Sequence, residues 1–419
     1  MELEDHLFRH EAGRMVSALT RVFGLHNLAL AQDVVQEAFC RALEVWSVHG
    51  APENPAAWLM ATAKNRAFDL MRREKTARTF APDVEWILQN ESALEPIVEE
   101  LLAPDAIKDD ELRMMFSCCQ PNLAEGVHVA LILNVLCGFT VREIASAFVS
   151  SEAAIEKRIS RGKKSLAASN RLFDVTSRQD FSARLASVQR ALYLLFNEGY
   201  HGASAEATVR AELCREAMRL VTILLEPPCG GSPSPSTYAL ASLMHFHAAR
   251  LATRVDAYGQ LTMLFDQDRS RWDGQLIAEG FRLLDLSATG AELSEYHIES
   301  AIASMHAKAP TVEETDWSAI ISLYEALMSL RPSPVIALNR AVAIAQRDGP
   351  ARGIEEIQAI ADREQLNAYP FYAAALGELE LRNGNRAIAR DHFREAIGIA
   401  RNAMEREFFD RRMRSCELP

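Results

Sequence analysis

The sequence predicts an all-α fold for this chain of 419 residues. Apolar residues recur at steps of three and four along most of it, which is the period of an amphipathic helix. Helix-start signatures precede some of these stretches, and two helical stretches near the end of the chain repeat each other. The composition, 49% hydrophobic and 24% charged, is that of a globular protein. We therefore expect several helical domains, each with its own core.

Three helices are predicted in the first 80 residues. The first ends near Gly24, and the second runs from about Leu28 to Trp46 with Leu43 on its apolar side. A turn at 49–55 leads into a third helix that ends near residue 75. The second helix turns three polar residues outward: Asp33, Gln36 and Glu37. The third helix has a basic flank and begins its apolar face at Trp58, which favours a core position for that ring over a stacking platform for a base.

Charge is distributed unevenly along a chain whose formal net charge is −12. Residues 63–78 hold six bases and two acids, residues 81–111 hold one base and ten acids, and residues 152–171 hold six bases and two acids. The overall charge argues against a protein that coats DNA without sequence preference, but local basic patches can still contact phosphates. The acidic stretch 81–108, with three prolines, is predicted to be a linker.

Residues 139–166 contain two short predicted helices joined by a tight turn. Thr140 and Glu143 form a capping-box pattern, and Ser151 is a second N-cap candidate. The second helix buries Ile155, Ile159, Gly162 and Leu166, and its opposite face carries Glu156, Lys157, Ser160, Arg161 and Lys164. A helix-turn-helix that enters a major groove has this pattern. A surface hairpin whose charges face solvent has it too, so this stretch alone leaves both interpretations open.

The upstream sequence favours the first interpretation. The segments DVVQEAFCRAL (33–43) and NPAAWLMATAKNRAFDLMRR (54–73) resemble region 2 of an extracytoplasmic-function (ECF) sigma factor of bacterial RNA polymerase. Residues 139–166 resemble region 4 of the same family. The resemblance implies region 2 at 1–80, a linker at 81–108 and region 4 at 109–172. Such a linker lies along the polymerase channel or folds onto a DNA-binding face, and the sequence leaves both open.

The resemblance implies functional surfaces on both regions. In the family, region 2 binds the clamp of the polymerase β′ subunit and opens the −10 element, and region 4 binds the −35 element and the β-flap. The polymerase-binding set is then Asp33, Gln36 and Glu37, although solvent alone also favours such a polar face. The −10 set is Lys64, Asn65, Arg66, Asp69, Arg72 and Arg73. The −35 set is Glu156, Lys157, Ser160, Arg161 and Lys164.

The remaining chain is predicted to be a helical extension at 173–290 followed by a tetratricopeptide (TPR)-like domain at 291–419. Gly349 precedes Gly384 by 35 residues, and the second repeat has Leu376, Gly377, Ala389, Phe393 and Ala396 at TPR spacing. LYLLFNEGY (192–200), DQDRSRWD (266–273) and this end together resemble the ECF sigma factors with a C-terminal TPR extension, the ECF42 group. In that group the extension is taken to modulate activity.

The polar motif at 266–273 has two acids that flank a polar residue, as in some metal or nucleotide sites, but two other interpretations are favoured. Its charged residues form either an internal salt-bridge network or an intramolecular docking surface for regions 2 and 4: Asp266, Asp268, Arg269, Arg271 and Asp273. Cys118 and Cys119 are predicted to be buried thiols, because adjacent cysteines rarely share one metal ion. His245 and His247 point apart on a helix, and we expect no metal site and no cofactor.

We therefore expect a sigma factor and not an enzyme. Its partners are core RNA polymerase, promoter DNA and a protein or small-molecule signal at the C-terminal domain. The alternative is a TPR-containing helix-turn-helix regulator that acts without binding core polymerase. No apolar run approaches the roughly 20 residues that span a bilayer, and the N-terminus lacks the apolar core of a signal peptide. These features and the scattered cysteines predict a cytoplasmic protein.

Overall fold

A computed structural model describes residues 2–75, 104–120, 122–147, 150–168, 178–201, 209–226, 233–291 and 293–417. Over these ranges the fold is all-α, as predicted, and an isolated bridge between Val255 and Leu261 is the one β-type pairing. The chain divides into two compact units. The first comprises Met1–Leu194 and Glu226–Gly231, and the second comprises Leu195–Leu225 and Ser232–Pro419. None of the helices described is long and apolar enough to cross a membrane.

The first unit contains the helices of both predicted sigma regions. They are α1 (Glu2–Phe23), α2 (Leu28–His49), α3 (Pro55–Lys75), α4 (Pro104–Cys118), α5 (Glu125–Val135), α6 (Val141–Ala147) and α7 (Glu152–Ala167). Helix α1 stops at Gly24 and α2 stops at Gly50, and both glycines have the positive φ that side-chain-bearing residues avoid. Residues 104–108, predicted as the end of the linker, belong to α4, with Pro104 at its start. The rest of the predicted linker, 81–103, lies outside the described residues.

Helices α1, α2 and α3 pack around a shared apolar core. Phe23 and Phe68 meet edge to face with ring centroids 5.8 Å apart. Along α2 the buried positions are Leu28, Ala31, Val34, Val35, Ala38 and Ala42. Leu43 was predicted on this apolar side, but its side chain is 52% exposed. The prediction is wrong because Leu43 follows Ala42 by one residue and therefore lies about 100° further round the helix.

The second unit is a succession of helices. They are α8 (Arg178–His201), whose first part belongs to the first unit, then α9 (Ala211–Leu225), α10 (Pro235–Ala248), α11 (Gly274–Ser287), α12 (Glu295–Lys308), α13 (Trp317–Leu330), α14 (Pro334–Asp348), α15 (Pro350–Gln358), α16 (Pro370–Arg382), α17 (Arg386–Gly398) and α18 (Ala403–Ser415). From α12 onward each helix packs on the next along the chain. Helices stacked in this order share a continuous core instead of one central one.

Two glycines mark the repeat predicted in this unit. Gly349 ends α14 at φ 96° and Gly384 precedes α17 at φ 84°, so both occupy a conformation that favours glycine. In the second helix pair, Gly377 on α16 lies so close to Phe393 on α17 that an added Cβ would be 3.0 Å from the ring. The predicted packing positions Leu376, Ala389, Phe393 and Ala396 are all buried. These positions hold α16 and α17 together.

Candidate functional site

Helix α2 exposes the three residues predicted to bind polymerase. Asp33, Gln36 and Glu37 are exposed, while the opposite face of α2 packs on α1 and α3. Together with Arg41 and Arg66 they border a shallow depression between α2 and α3. The side chains of this surface alternate in charge, so a partner that binds here must offer both hydrogen-bond donors and acceptors.

Arg66 of α3 and Glu37 of α2 form a two-point ion pair. Arg66 Nε donates to Glu37 Oε2, and Arg66 Nη2 donates to Glu37 Oε1 at 3.3 Å. This hydrogen bonding lowers the pKa of the Glu37 carboxyl from its ordinary value and raises that of the guanidinium. The sequence placed these residues on two separate surfaces, one for polymerase and one for DNA. The structure brings them together because α2 and α3 pack side by side.

The other predicted −10 residues follow one side of α3. Asn65 and Asp69 are exposed and Lys64 is half-buried. Arg72 and Arg73 belong to α3, but their side chains lie outside the described residues. The exposed amide and carboxylate are free to reach hydrogen-bonding groups of an opened strand.

A pair of tryptophans flanks the loop between α2 and α3. Trp46 and Trp58 lie with ring centroids 5.4 Å apart, and both are half-buried. The prediction that Trp58 belongs to the core is therefore only partly right, because its ring packs on a second tryptophan near the surface. Sequence reasoning did not single out Trp46. The sequence does contain a signal for this pair, because Trp46 is the last aromatic residue before the turn and Trp58 is the first one after it.

The capping predictions for α6 and α7 are confirmed. The Glu143 backbone N–H donates to Thr140 Oγ1 at 3.2 Å, and Glu143 Oε2 accepts from the Thr140 N–H at 2.9 Å. The Ser151 hydroxyl oxygen accepts from the Ala154 N–H at 3.3 Å and caps α7. These bonds fix the residue at which each helix starts.

Helix α7 has one packed face and one exposed face. Ile155, Ile159, Gly162 and Leu166 are buried, as predicted. Gly162 allows a close approach to α5, since an added Cβ would lie 2.6 Å from the Leu131 side chain. The predicted −35 set is exposed along the opposite face: Glu156, Lys157, Ser160, Arg161 and Lys164. Helix α7 thus presents a continuous polar row.

The modules that resemble regions 2 and 4 pack against each other in the first unit. Arg21 of α1 forms an ion pair with the buried Asp110 of α4 at 3.2 Å. Gly13 of α1 lies against the backbone carbonyl of Leu136, at the end of α5. Burial lowers the pKa of Lys163 on α7, and the Asp33 carboxylate of α2 opposes that shift. The Arg21–Asp110 ion pair and the Gly13–Leu136 contact therefore join the two modules within the first unit.

The motif at 266–273 stabilises local structure in the second unit. Arg269 Nη1 lies 2.9 to 3.1 Å from three backbone oxygens, those of His306, Ala309 and Thr311, and 3.0 Å from the Thr315 hydroxyl. Asp268 and Asp273 cap the helical turns that follow them. None of the motif's five charged residues is in an ion pair with another, so the salt-bridge interpretation is wrong. Four of them are exposed, and of these only Asp266 and Arg271 cap no helical turn.

The cysteine and histidine pairs also have local roles. Cys118 and Cys119 are buried, as predicted, and burial raises the pKa of the Cys118 thiol to about 12. His245 Nδ1 lies 2.8 Å from the Ala241 carbonyl oxygen, whereas His247 packs on Tyr200 with ring centroids 4.8 Å apart. The two imidazoles therefore point to different surroundings, as the helical spacing predicted.

Comparison with known proteins agrees with this geometry. The family model for sigma-70 region 2 matches residues 7–77, which contain α2, α3 and most of α1. A family of unknown function, DUF6596, matches residues 184–288. The chain is 23% identical over 138 residues to the ECF RNA polymerase sigma factor SigX of Bacillus subtilis (strain 168), which covers 32% of this chain and 68% of that protein. No solved structure matches the chain.

The region 2 domain and the similarity to SigX support a role as an ECF-like sigma factor. A longer match covers 93% of this chain and 90% of a protein of Rhizobium meliloti (strain 1021) that is named "Uncharacterized protein R00370", with 38% identity over 390 residues. The chain belongs to the family of that rhizobial protein. The 390 aligned residues extend well beyond region 2 and into both compact units of this chain.

Proposed function

We propose that this protein is a sigma factor that binds core RNA polymerase and directs promoter-specific initiation of transcription. The observation that carries the proposal is the sigma-70 region 2 match over 7–77, together with the polar face of α2 and the flank of α3 within it. Sigma factors are not enzymes, and the polymerase performs the chemistry. Since core polymerase works on the chromosome, the proposal places the protein in the cytoplasm.

In this proposal the surface of α2 binds the β′ clamp, and α3 with its preceding loop captures the opened −10 element. Asp33, Gln36 and Glu37 supply the polymerase contacts. Lys64, Asn65, Arg66, Asp69, Arg72 and Arg73 supply the DNA contacts. The loop 50–54 has no aromatic side chain of its own, so the Trp46–Trp58 pair beside it is the available apolar surface for an unstacked base.

The exposed row on α7 reads the −35 element in the major groove. This role is supported by the capped helices α6 and α7 and by the face of α7 that is exposed over its whole length. Arg161 and Lys157 offer charged donors of the kind that bind guanine edges and phosphates. The proposal further has this module contact the β-flap of core polymerase.

The packing of the first unit is proposed to be a resting state. Promoter elements centred about 25 base pairs apart are separated by roughly 85 Å, at about 3.4 Å for each pair. Helices α3 and α7 belong to one compact unit, so they cannot span that distance while α1 stays packed on α4 and against Leu136. Binding of both elements therefore requires these contacts to open.

The second unit is proposed to be a TPR-like regulatory extension that modulates the sigma activity. The support is the succession of packed helix pairs with Gly349 and Gly384 at equivalent turns. The exposed Asp266 and Arg271 are proposed as part of the surface that docks on regions 2 and 4. A protein or a small molecule that binds this unit would then act as the signal.

Run-off transcription with purified core polymerase tests the proposal. We expect the full-length protein to start transcripts at a promoter with two elements, and the Glu37→Gln and Arg161→Ala variants to start fewer. Binding to promoter DNA without core polymerase, combined with no transcript at any genomic promoter, would instead identify a TPR-containing helix-turn-helix regulator. Region 2 argues against that alternative, because such a regulator has no use for a polymerase-binding helix.

A further inference from the structure

The second unit contains a cavity of about 380 Å³ with an apolar wall and a basic end. This volume is within the usual range of small-molecule sites in proteins. The wall includes Leu261, Met263, Leu338, Val342, Phe371 and Phe408. The basic end is formed by Arg250 and Arg254, beside Tyr200 and two histidines. The proposed contacts with polymerase and promoter DNA do not use this cavity.

The two arginines carry charge that the described residues do not neutralise. Arg250 is 9% exposed, donates from Nε to Gln267 Oε1 at 3.2 Å, and lies 5.2 Å over the Trp272 ring. Arg254 lies 4.1 Å over the Tyr200 ring. No carboxylate of the described residues lies within 4 Å of either guanidinium, whereas Arg412 of the same cavity is paired with Glu378 at 2.5 Å.

Polar atoms at this end also lack partners. Tyr200 is 2% exposed and its hydroxyl has no hydrogen-bond partner in the described structure. The same holds for His247 Nδ1 and for Arg254 Nε. Burial, with the nearby Arg250 and Arg254, lowers the pKa of His247 to about 3, so this ring is neutral near pH 7. Buried donors and cations without partners cost free energy, so a ligand that supplies their partners is stabilised here.

We infer that this cavity binds an organic carboxylate with an apolar body. The carboxylate pairs with Arg254 and Arg250, and the apolar body lies along the wall of leucine, methionine and phenylalanine side chains. Both parts of the ligand are needed. The arginines stabilise its negative charge, and the apolar wall stabilises its body by removing apolar surface from water. The inference does not rest on the proposed sigma function, since the whole cavity belongs to the second unit.

Calorimetric titration of the full-length protein with octanoate tests this inference. We expect one site per chain for octanoate, and roughly tenfold or greater weakening both for 1-octanol, which lacks the charge, and for acetate, which lacks the apolar body. Arg254→Gln should weaken octanoate to a similar extent. Arg390→Gln, which removes the same charge from an exposed side chain outside the cavity, should leave it unchanged.

A second variant separates loss of the site from loss of the fold. Ala375→Trp places a large ring in the cavity from α16 and leaves both arginines unsubstituted. It should abolish octanoate binding, while the circular dichroism spectrum remains that of a helical protein. The inference is overturned if octanoate gives no binding heat, if 1-octanol binds as tightly as octanoate, or if Arg254→Gln and Arg390→Gln bind it equally. Because neither polymerase nor DNA is present, this outcome is independent of the transcription assay.

Discussion

Arg66 and Glu37 connect two surfaces that the sequence assigns to different partners. The guanidinium of α3 holds the carboxylate of α2 through two hydrogen bonds, and both side chains remain partly exposed. If polymerase binds at Glu37, this contact therefore also affects the position of Arg66, which is proposed to contact DNA. In the proposed function, polymerase binding at Glu37 changes the charge that promoter DNA meets at Arg66.

Glu37→Gln should weaken the binding of core polymerase and leave the melting temperature nearly unchanged. The variant removes a charge from the proposed interface, whereas an exposed ion pair contributes little to folding. The measurement is retention of core polymerase by the immobilised protein, with thermal denaturation alongside. Glu364→Gln makes the same charge change on an exposed residue of the second unit and should retain polymerase normally. Equal retention by both variants would remove Glu37 from the interface.

Arg161→Ala should weaken binding to a −35 sequence by about 1–3 kcal/mol if its guanidinium reads a base. The side chain is exposed on the open face of α7, so its removal leaves the packed face intact. Competition binding with a set of −35 variants measures the effect, and the preferred base at one position should change. A uniform loss on all sequences would make Arg161 a phosphate contact instead.

Gly13→Ala should destabilise the first unit by about 1–3 kcal/mol, as overpacking does. The new Cβ would lie 1.9 Å from the Leu136 carbonyl oxygen, and a backbone atom cannot move aside easily. Urea denaturation measures the change, and Gly126→Ala is the control, because its Cβ would meet nothing closer than 3.9 Å. If the packing is a resting state, Gly13→Ala should also increase promoter binding by the polymerase complex. Unchanged promoter binding in a destabilised variant would contradict that part of the proposal.

His306 should make the second unit sensitive to acid. Burial, together with Arg250 and Arg269, lowers the pKa of His306 to about 3 from an ordinary value of 6.5. The unfolded chain therefore binds the proton first, and stability falls as the pH drops from 6.5 towards 3, by up to about 1.4 kcal/mol for each pH unit. His306→Phe keeps a ring against Trp317 and should flatten this dependence in urea denaturation series. His49→Phe, at an exposed position, should not.

Asp266→Asn combined with Arg271→Gln tests whether the motif at 266–273 docks on the sigma regions. Both side chains are exposed, and neither caps a helix nor binds the 306–315 segment, so the melting temperature should stay the same. If they contribute to docking, run-off transcription by the full-length variant should differ from that of the wild type. Asp391→Asn with Arg394→Gln is a matched pair of exposed residues on α17 and should leave transcription unchanged.

The sequence by itself determined the all-α fold, the caps of α6 and α7, and the two faces of α7. These features depend on neighbours within one or two helical turns, so residue spacing specifies them. It also located the region 2 module that the sigma-70 family model matches. It misplaced Leu43 by one position, because a lone helix does not reveal how wide its buried stripe is.

Only the tertiary structure decided which distant residues meet. Glu37 joins Arg66 across 29 positions, and Gly13 on α1 meets Leu136 at the end of α5. The sequence of the motif at 266–273 suggested a charge network. Arg269 instead binds backbone oxygens, and a pattern of side chains along the chain does not predict such bonds. No carboxylate of the residues that the structure describes pairs with Arg250 or Arg254, because of the way the surrounding helices pack. Such contacts depend on the packing of whole helices, which residue spacing along the chain does not encode.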